Sequence, residues 1–392
     1  MRIAIEGQRL FRKKKHGMDF VALELIKNLQ TIDKKNQYFV FVTPDEDKCL
    51  HDTENFKIIE LKGGPYPTWE QIALPKAVKK YKCNVLQCTS NTAPINSPVP
   101  LIIILHDIIY MESIALFQKG YSSYQKLGNM YRRFVVPRVL KKAHKVITVS
   151  EFEKERIKNF FKLSENKIEA VYNGVGKHFK KIDEASVLSS IKKKYNLPDK
   201  YFFFLGNTDP KKNTKNVLKA YAQYVQQKGN EIKLLMLDYE ESELQKLLTE
   251  INALEIRSDI FLAGYVVNSD LPAIYNMAGL FLYPSLRESF GIPMLEAMAC
   301  GTAVVTSNTS SMPEVAGDSA KIIDPFQASE ILNAMIELLE NQDLKNQYII
   351  SGYERAKRFS WEAMAFKNLD IYETVFAESF EKGYESKSML FI

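Results

Sequence analysis

The chain is poor in cysteine and has no long apolar run, and each scarcity narrows what it can be. Its 392 residues hold four cysteines, Cys49, Cys83, Cys88 and Cys300, with neither metal-type spacing nor a disulfide framework. Such usage fits a reducing compartment, so the expected location is the cytoplasm. The longest apolar candidate, Leu101–Leu105, falls far short of the roughly 20 residues a membrane-spanning helix needs. It reads as a buried strand. Met1-Arg2-Ile3-Ala4-Ile5-Glu6 lacks the apolar core of a secretory signal and reads as a first strand. The expectation is a soluble protein, at most held peripherally on the inner face of the cytoplasmic membrane. Short repeats and low-complexity segments are also missing.

What is present is the composition of a folded protein, 46% hydrophobic and 26% charged, with length enough for two domains that each bury a core. The charge is uneven. Residues 1–183 carry 32 Lys and Arg against 19 Asp and Glu, a surplus of +13, so the remainder contributes −7 to the overall +6. A basic first half suits an anionic partner, and solvated lysine faces on helices account for it equally well. Aromatic and basic residues do not interleave as in a nucleic-acid module, so no nucleic-acid partner is expected.

Short apolar strands alternate with amphipathic stretches throughout. In the first half they read as Arg2–Glu6, Tyr38–Thr43, Phe56–Leu61, Val85–Thr89, Leu101–His106, Lys145–Val149 and Lys167–Tyr172. A second set reads as Tyr201–Leu205, Lys233–Leu237, Ile260–Leu262, Leu280–Tyr283, Ala303–Thr306 and Ala320–Ile323. Strands alternating with helices imply parallel sheets covered on both faces. The expected class is α/β, with two Rossmann-like, doubly wound domains facing across a cleft where their strand C-termini meet. The limits are residues 1–183 and 199–360, with a linker at 184–198 and a last helix, within about 361–392, returning to the first domain. Ser360 suits that helix as an N-cap.

The most informative stretch runs from Tyr283 to Gly301 and reads as strand, tight loop, helix and stop. Pro293 suits a first helical turn and Gly301 a C-terminal cap. Gly291 lets the backbone approach a ligand closely, and free amides at a helix start favour an anion such as a diphosphate. Glu288 in the loop and Glu296 inside the helix aim two carboxylates at different parts of one elongated ligand; alone, either is an ordinary surface or dipole-facing Glu. A second phosphate-type turn, Gly206-Asn207-Thr208-Asp209-Pro210-Lys211-Lys212-Asn213, follows the second domain's first strand. His106-Asp107 follows an apolar strand of the first domain.

On these residues the chain resembles the retaining family 4 glycosyltransferases of the GT-B fold, whose donor site carries an E-x-F-G-x-P-x-x-E pattern. Glu288, Phe290, Gly291, Pro293 and Glu296 all match it. The resemblance implies that Glu288 and Ser289 meet the donor sugar, that Glu296 holds the ribose, and that amides from Ile292 through Met294 to Leu295 meet phosphate. It implies phosphate contacts at Gly206, Asn207, Lys211 and Lys212. This chain has Asn207 and Lys211 where many members carry Arg, and Lys cannot reproduce a two-pronged Arg contact. Further implied contacts are Gly264, Tyr265 and Val266 at the nucleobase and Gly17 near the diphosphate. Catalytic roles fall to His106, Glu288 and Lys212; the resemblance also makes the first domain the acceptor side and the second the binder of the nucleotide-sugar donor.

The implied reaction is metal-independent hexosyl transfer, of mannose or glucose type, from a nucleoside-diphosphate sugar to a glycan or lipid-linked acceptor. It would retain configuration and serve cell-surface polysaccharide or lipopolysaccharide synthesis. GDP-mannose is the first donor expected and a UDP-sugar the second, each a co-substrate, with no bound cofactor. The stretch Tyr131–Lys142 mixes basic and apolar residues, as a helix lying on an anionic membrane surface would, or as a helix of the domain itself. Two alternatives stand: a nucleotide-sugar epimerase of the same architecture, and a protein that binds nucleotide sugars without turning them over.

Overall fold

The computed structural model describes residues 1–112 and 123–388. The described chain divides into two units: residues 1–173 with the helix Trp361–Ser388, and residues 174–360.

In the first unit seven strands run parallel. They are β1 (Arg2–Glu6), β2 (Gln37–Val42), β3 (Phe56–Glu60), β4 (Val85–Cys88), β5 (Leu101–Ile104), β6 (Lys145–Thr148) and β7 (Ile168–Ala170). Their order is β3-β2-β1-β4-β5-β6-β7, so it reverses between β1 and β4. β4 and β5 are buried along their whole length; β5 therefore reads as a continuous apolar run, while β4 carries the buried polar Gln87. One face of the sheet carries a core that includes Phe41, Trp69, Leu74, Ile103, Val136 and Leu140. Each such side chain contributes about 1.5–3 kcal/mol by leaving water.

The helix Trp361–Ser388 packs against Gly17–Ile32 of the same unit. A buried polar contact fixes its register: the Gln87 amide donates to Asn368 Oδ1 at 2.7 Å, and Tyr372 OH donates to Gln87 Oε1. The helix Ser123–Lys142 is a helix of the domain, with Val135, Val136, Val139 and Leu140 buried in the core. Pro137 lies inside it. Its opposite side leaves Leu127, Met130 and Phe134 exposed.

The second unit repeats the plan with β8 (Tyr201–Phe204), β9 (Lys233–Met236), β10 (Ile260–Leu262), β11 (Leu280–Tyr283), β12 (Val304–Ser307) and β13 (Lys321–Ile323). All pairings are parallel, the order is β10-β9-β8-β11-β12-β13, and the reversal falls between β8 and β11. Its core joins Phe202, Phe204, Leu218, Leu234, Leu282 and Met335.

Two expectations are corrected. The first domain ends at Asn173, not at residue 183, because residues 174–182 bond to the second unit. Val175 N–H donates to Phe359 O at 3.1 Å and Ile182 N–H to Asn276 Oδ1 at 2.8 Å. The segment 184–198 is no linker: it holds the helix Ala185–Tyr195, and Lys194 and Tyr195 both bond to Asp270. Several strands also stop short of their expected C-termini. Leu105 N–H still reaches Ile147 O, but His106 N–H is taken by Asn91 Oδ1 at 2.6 Å, and there the chain leaves the ladder.

Candidate active site

The reversal between β8 and β11 is where an open parallel sheet takes a ligand, and the loops leaving these strands carry most of the sequence-derived site. β11 ends at Tyr283, and the chain crosses a loop to the helix Ile292–Ala299. Gly291 caps that helix with φ of 99°, and a β-carbon there would lie 2.5 Å from Met312 Cε. The positive φ calls for glycine there, and a larger residue would also have to push the Met312 methyl aside. Gly301, at φ of 78°, ends the helix. The loop is held from the side by a turn at Ser310 and Ser311. Glu288 N–H donates to Ser310 Oγ at 3.1 Å, and Ser311 Oγ donates to the carbonyls of Glu288 (3.0 Å) and Phe290 (3.2 Å).

The loop after β8 is tied to this frame. Asn213 donates through its amide to Pro284 O (3.0 Å) and Pro325 O (2.7 Å), and Leu286 N–H donates to Lys211 O at 2.7 Å. Gly206 could not be another residue without displacing the Phe204 ring, which would lie 2.1 Å from its β-carbon. Thr214 Oγ1 donates to Asn207 O at 2.9 Å, and the Asn207 side chain accepts from Asp209 N–H.

This stitching brings Lys212 and Glu288 together. Lys212 Nζ donates to Glu288 Oε1 at 2.6 Å, and both side chains are largely shielded from solvent. The ammonium also lies 3.4 Å from Tyr283 OH. Burial pushes the Tyr283 phenol far above its ordinary value, and the neighbouring Glu288 charge pushes the same way. Tyr283 thus stays a neutral hydroxyl. Lys211 diverges from Lys212, pairs with Asp209 at 3.5 Å and remains more open. The two adjacent lysines therefore do not converge on one point.

Glu296 projects from inside the helix and accepts from Tyr275 OH at 3.0 Å. Burial raises its carboxyl to about 7, partly offset by that hydrogen bond. The charge of Glu296 also raises the Tyr283 phenol, less than that of Glu288 does. Phe290, Met294 and Leu295 bury their side chains in the core. Pro293 has no N–H, and Met294 N–H is spent on Gly291 O at 3.1 Å. An anion at this helix start would meet the amides of Gly291 and Ile292, a narrower set than the run to Leu295 that the sequence suggests. Ser289 lies in the loop just before them.

At the end of β10, Gly264 has φ of 67°, and its carbonyl accepts from Asp238 N–H at 2.9 Å. Tyr265 is 74% exposed, whereas Val266 is buried. The tyrosine ring is free to meet a planar ligand.

His106 and Gly17 belong to the first unit. His106 is buried, its Nε2 lies 3.0 Å from Thr89 O, and that contact makes Nε2 the protonated nitrogen. Burial lowers its pKa, so the ring is neutral at neutral pH. Gly17 opens the helix Gly17–Ile32, with open space around its missing β-carbon. Within this unit no packing contact demands glycine there. The basic loop before it is partly spent, because Lys15 pairs with Asp47. Among the described residues no cluster of three or more His, Cys, Asp and Glu side chains could hold a metal ion.

Two family models match the chain: glycosyltransferase family 4 over residues 16–177, and glycosyl transferases group 1 over residues 189–355. The chain belongs to the family 4, group 1 type of glycosyltransferases. Among its relatives, the serotype-specific mannosyltransferase WbdA of Escherichia coli is 27% identical over 293 residues, covering 73% of this chain and 35% of that protein. The O-antigen chain mannosyltransferase B of Escherichia coli is 30% identical over 234 residues, 60% of this chain and 61% of that one. The chain thus spans from about a third to three fifths of the length of these relatives. Among solved structures, sucrose-phosphate synthase from Thermosynechococcus elongatus matches with a TM-score of 0.76 at 18% identity, over 96% of this chain and 99% of that one. Its likeness is one of fold: two Rossmann-like parallel-sheet domains, the GT-B architecture.

Of the residues around the site, sequence reasoning assigned no role to Tyr275, Ser310, Ser311 or Met312. Nothing in the spacing of residues 308–317 says that two serines anchor the Glu288 loop.

Proposed function

We propose that this glycosyltransferase moves a hexose, mannose before glucose, from a nucleoside-diphosphate sugar to a glycan or lipid-linked acceptor, with retained configuration and without a metal. The observation that carries this reading is the Lys212–Glu288 pair at the β8/β11 reversal, beside a glycine-capped helix start and with Glu296 a turn further on. A diphosphate suits Lys212 and the amides of Gly291 and Ile292. The donor hexose then offers hydroxyls to Glu288, and the ribose offers hydroxyls to Glu296. Tyr265 is the group suited to the base. GDP-mannose is the first donor to test, in keeping with the mannosyltransferase names of the relatives.

In the reaction the bond between the anomeric carbon and the diphosphate oxygen breaks, and its electron pair leaves with the phosphate. Negative charge grows on that oxygen, and Lys212 lies where it can stabilise that charge. The acceptor hydroxyl bonds to the anomeric carbon on the face the phosphate leaves, and its proton passes to the departing phosphate oxygen. Neutral His106 suits a hydrogen-bonding role near the reacting sugar. It is a poor cation at neutral pH.

Membrane-surface attachment rests on the helix Ser123–Lys142. Leu127, Met130 and Phe134 are exposed at i, i+3 and i+7, and Arg138, Lys141 and Lys142 follow them. Sedimentation with vesicles rich in anionic lipid at low salt tests this part; equal recovery with neutral vesicles would remove it. Thermal-shift screening against GDP, UDP, ADP and their sugars tests the donor. Stabilisation by GDP and GDP-mannose is expected, and no response to any nucleotide would end the transferase reading.

A further inference from the structure

Strands β8 and β11 lie side by side at the second unit's reversal, and their register sets Phe203 against Phe281. Side chains alternate between the two faces of a strand. Phe281 and Tyr283 therefore share a face with Phe203, while Phe202, Phe204, Leu280 and Leu282 enter the core on the other. Over the shared face stands Tyr275, from the helix Leu271–Met277. Its ring meets Phe203 at 5.1 Å and Phe281 at 5.2 Å, both edge to face, and Phe281 stacks on Tyr283 at 5.5 Å. Phe179 meets Tyr275 from the connecting segment at 6.0 Å. The rings form one continuous block.

Only Tyr275 and Tyr283 in this block carry a hydroxyl, and each hydroxyl ends beside a glutamate of the candidate site. Tyr275 OH donates to Glu296 Oε2 at 3.0 Å. Tyr283 OH lies 3.4 Å from Lys212 Nζ, which itself donates to Glu288 Oε1 at 2.6 Å, so phenol and carboxylate share one ammonium. That ammonium also stands 5.1 Å from the centre of the Tyr283 ring. Burial first, and then the nearby carboxylate charge, keeps both phenols protonated. Phenylalanine would fill either place in the block, and a buried hydroxyl costs free energy unless it is bonded. Packing does not call for tyrosine here. The glutamates do.

Depth separates the two kinds of residue. Tyr275 and Tyr283 are sealed from solvent, whereas Glu288 and Glu296 are partly open. A ligand at these loops can touch the carboxylates and cannot reach the phenols. A glutamate that rotates freely has to be ordered on binding, and one already held does not, which leaves more of the contact energy for affinity.

We infer that Tyr275 and Tyr283 are positioning residues for the donor, each aiming one carboxylate from beneath: Tyr275 sets Glu296 for the ribose, and Tyr283 sets Glu288, with Lys212, for the hexose. Because both phenols belong to one block, the spacing of the two carboxylates is fixed before a ligand arrives. That the ligand is a nucleotide sugar rests on the transferase reading above.

The test is titration calorimetry of GDP and GDP-mannose into the full chain, Tyr275→Phe and Tyr283→Phe, and into each variant combined with loss of its glutamate, Glu296→Ala or Glu288→Ala. Tyr275→Phe should weaken GDP and GDP-mannose alike, by about fivefold or more, the scale of one hydrogen bond, because both ligands carry the ribose. Tyr283→Phe should weaken GDP-mannose by about as much and leave GDP within about twofold, because the ring stays beneath Lys212. Where the glutamate is already absent, the same substitution should change affinity by less than about twofold. A purely structural role would not give that result. Losses as large without the glutamate as with it would overturn the inference, and so would Phe variants that bind both ligands as the unaltered chain does. Both variants keep the ring, and either tests its own glutamate if the other does not fold. If neither ligand binds the unaltered chain, the donor reading fails and this inference with it; if both bind and the Phe variants are unaffected, this inference fails alone.

Discussion

At the β8/β11 reversal of the second unit, the chain keeps a cation paired with a carboxylate, Lys212 against Glu288, beside backbone amides at a helix start. At the β1/β4 reversal of the first unit, the same sheet geometry carries a buried carboxylate, Glu70, ringed by hydroxyls. The topology is shared and the chemistry is opposite. The crevice of the second unit is suited to a charge that grows during a reaction. A doubly wound sheet fixes where a ligand goes; the few residues at the strand ends decide which ligand.

The largest expected effect breaks the charged side of this comparison. Lys212→Ala or Glu288→Ala should lower turnover of GDP-mannose by about 10²–10³-fold, the scale of losing one preorganised electrostatic contact. Removing one partner of a shielded pair also leaves the other charge uncompensated, at a cost of about 3–5 kcal/mol. The double variant should therefore melt above the less stable single one. Equal activity in both single variants would show that neither group meets the donor.

Gly291→Ala tests the frame that holds the pair. A positive φ costs a non-glycine residue about 1–3 kcal/mol, and here the added methyl also meets Met312. Thermal melting should fall, and donor affinity should fall with it because the helix start shifts. A melting point within 1 °C of the parent (a difference of roughly this size marks no real change in stability) would show that the loop has room to relax.

Glu296 supplies a pH test. Its carboxyl titrates at about 7, above the unfolded value, because burial favours the neutral form. The stability it contributes is full below the unfolded pKa and is lost as pH rises through about 7. Donor binding should run the other way, since the carboxylate is the better acceptor for ribose hydroxyls. Affinity for GDP-mannose should rise about tenfold from pH 6 to pH 8, following the ionised fraction, and Glu296→Gln should flatten the curve. Titration calorimetry at both pH values decides it. The smallest effect concerns the first unit's closure: Tyr372→Phe leaves Gln87 Oε1 without its donor and should cost about 1–3 kcal/mol in chemical denaturation, with GDP binding unchanged.

Much of the architecture was legible because its signals are local. Buried parallel strands such as Leu101–Ile104 announce themselves as apolar runs, and the Pro293 and Gly301 pair brackets a helix. The limits of the units were not. Residues 174–182 look like loose chain, yet they bond to Phe359 and Asn276, partners far away in sequence. The Glu288–Glu296 frame could be read from spacing, whereas the Ser310–Ser311 anchor and the meeting of Lys212 with Glu288 depend on which loops the strand order brings together. Glu70 was invisible for the same reason. A glutamate in an amphipathic stretch gives no sign that Thr92 and Tyr131 will fold over it.

The most direct measurement is titration of GDP and of GDP-mannose into the unaltered chain, Lys212→Ala and Glu288→Ala. If a diphosphate sits at Lys212 with the sugar at Glu288, Lys212→Ala weakens both ligands tenfold or more. Glu288→Ala then leaves GDP binding as tight or tighter and weakens only the sugar nucleotide. Equal affinities across all three proteins would contradict the account at its root.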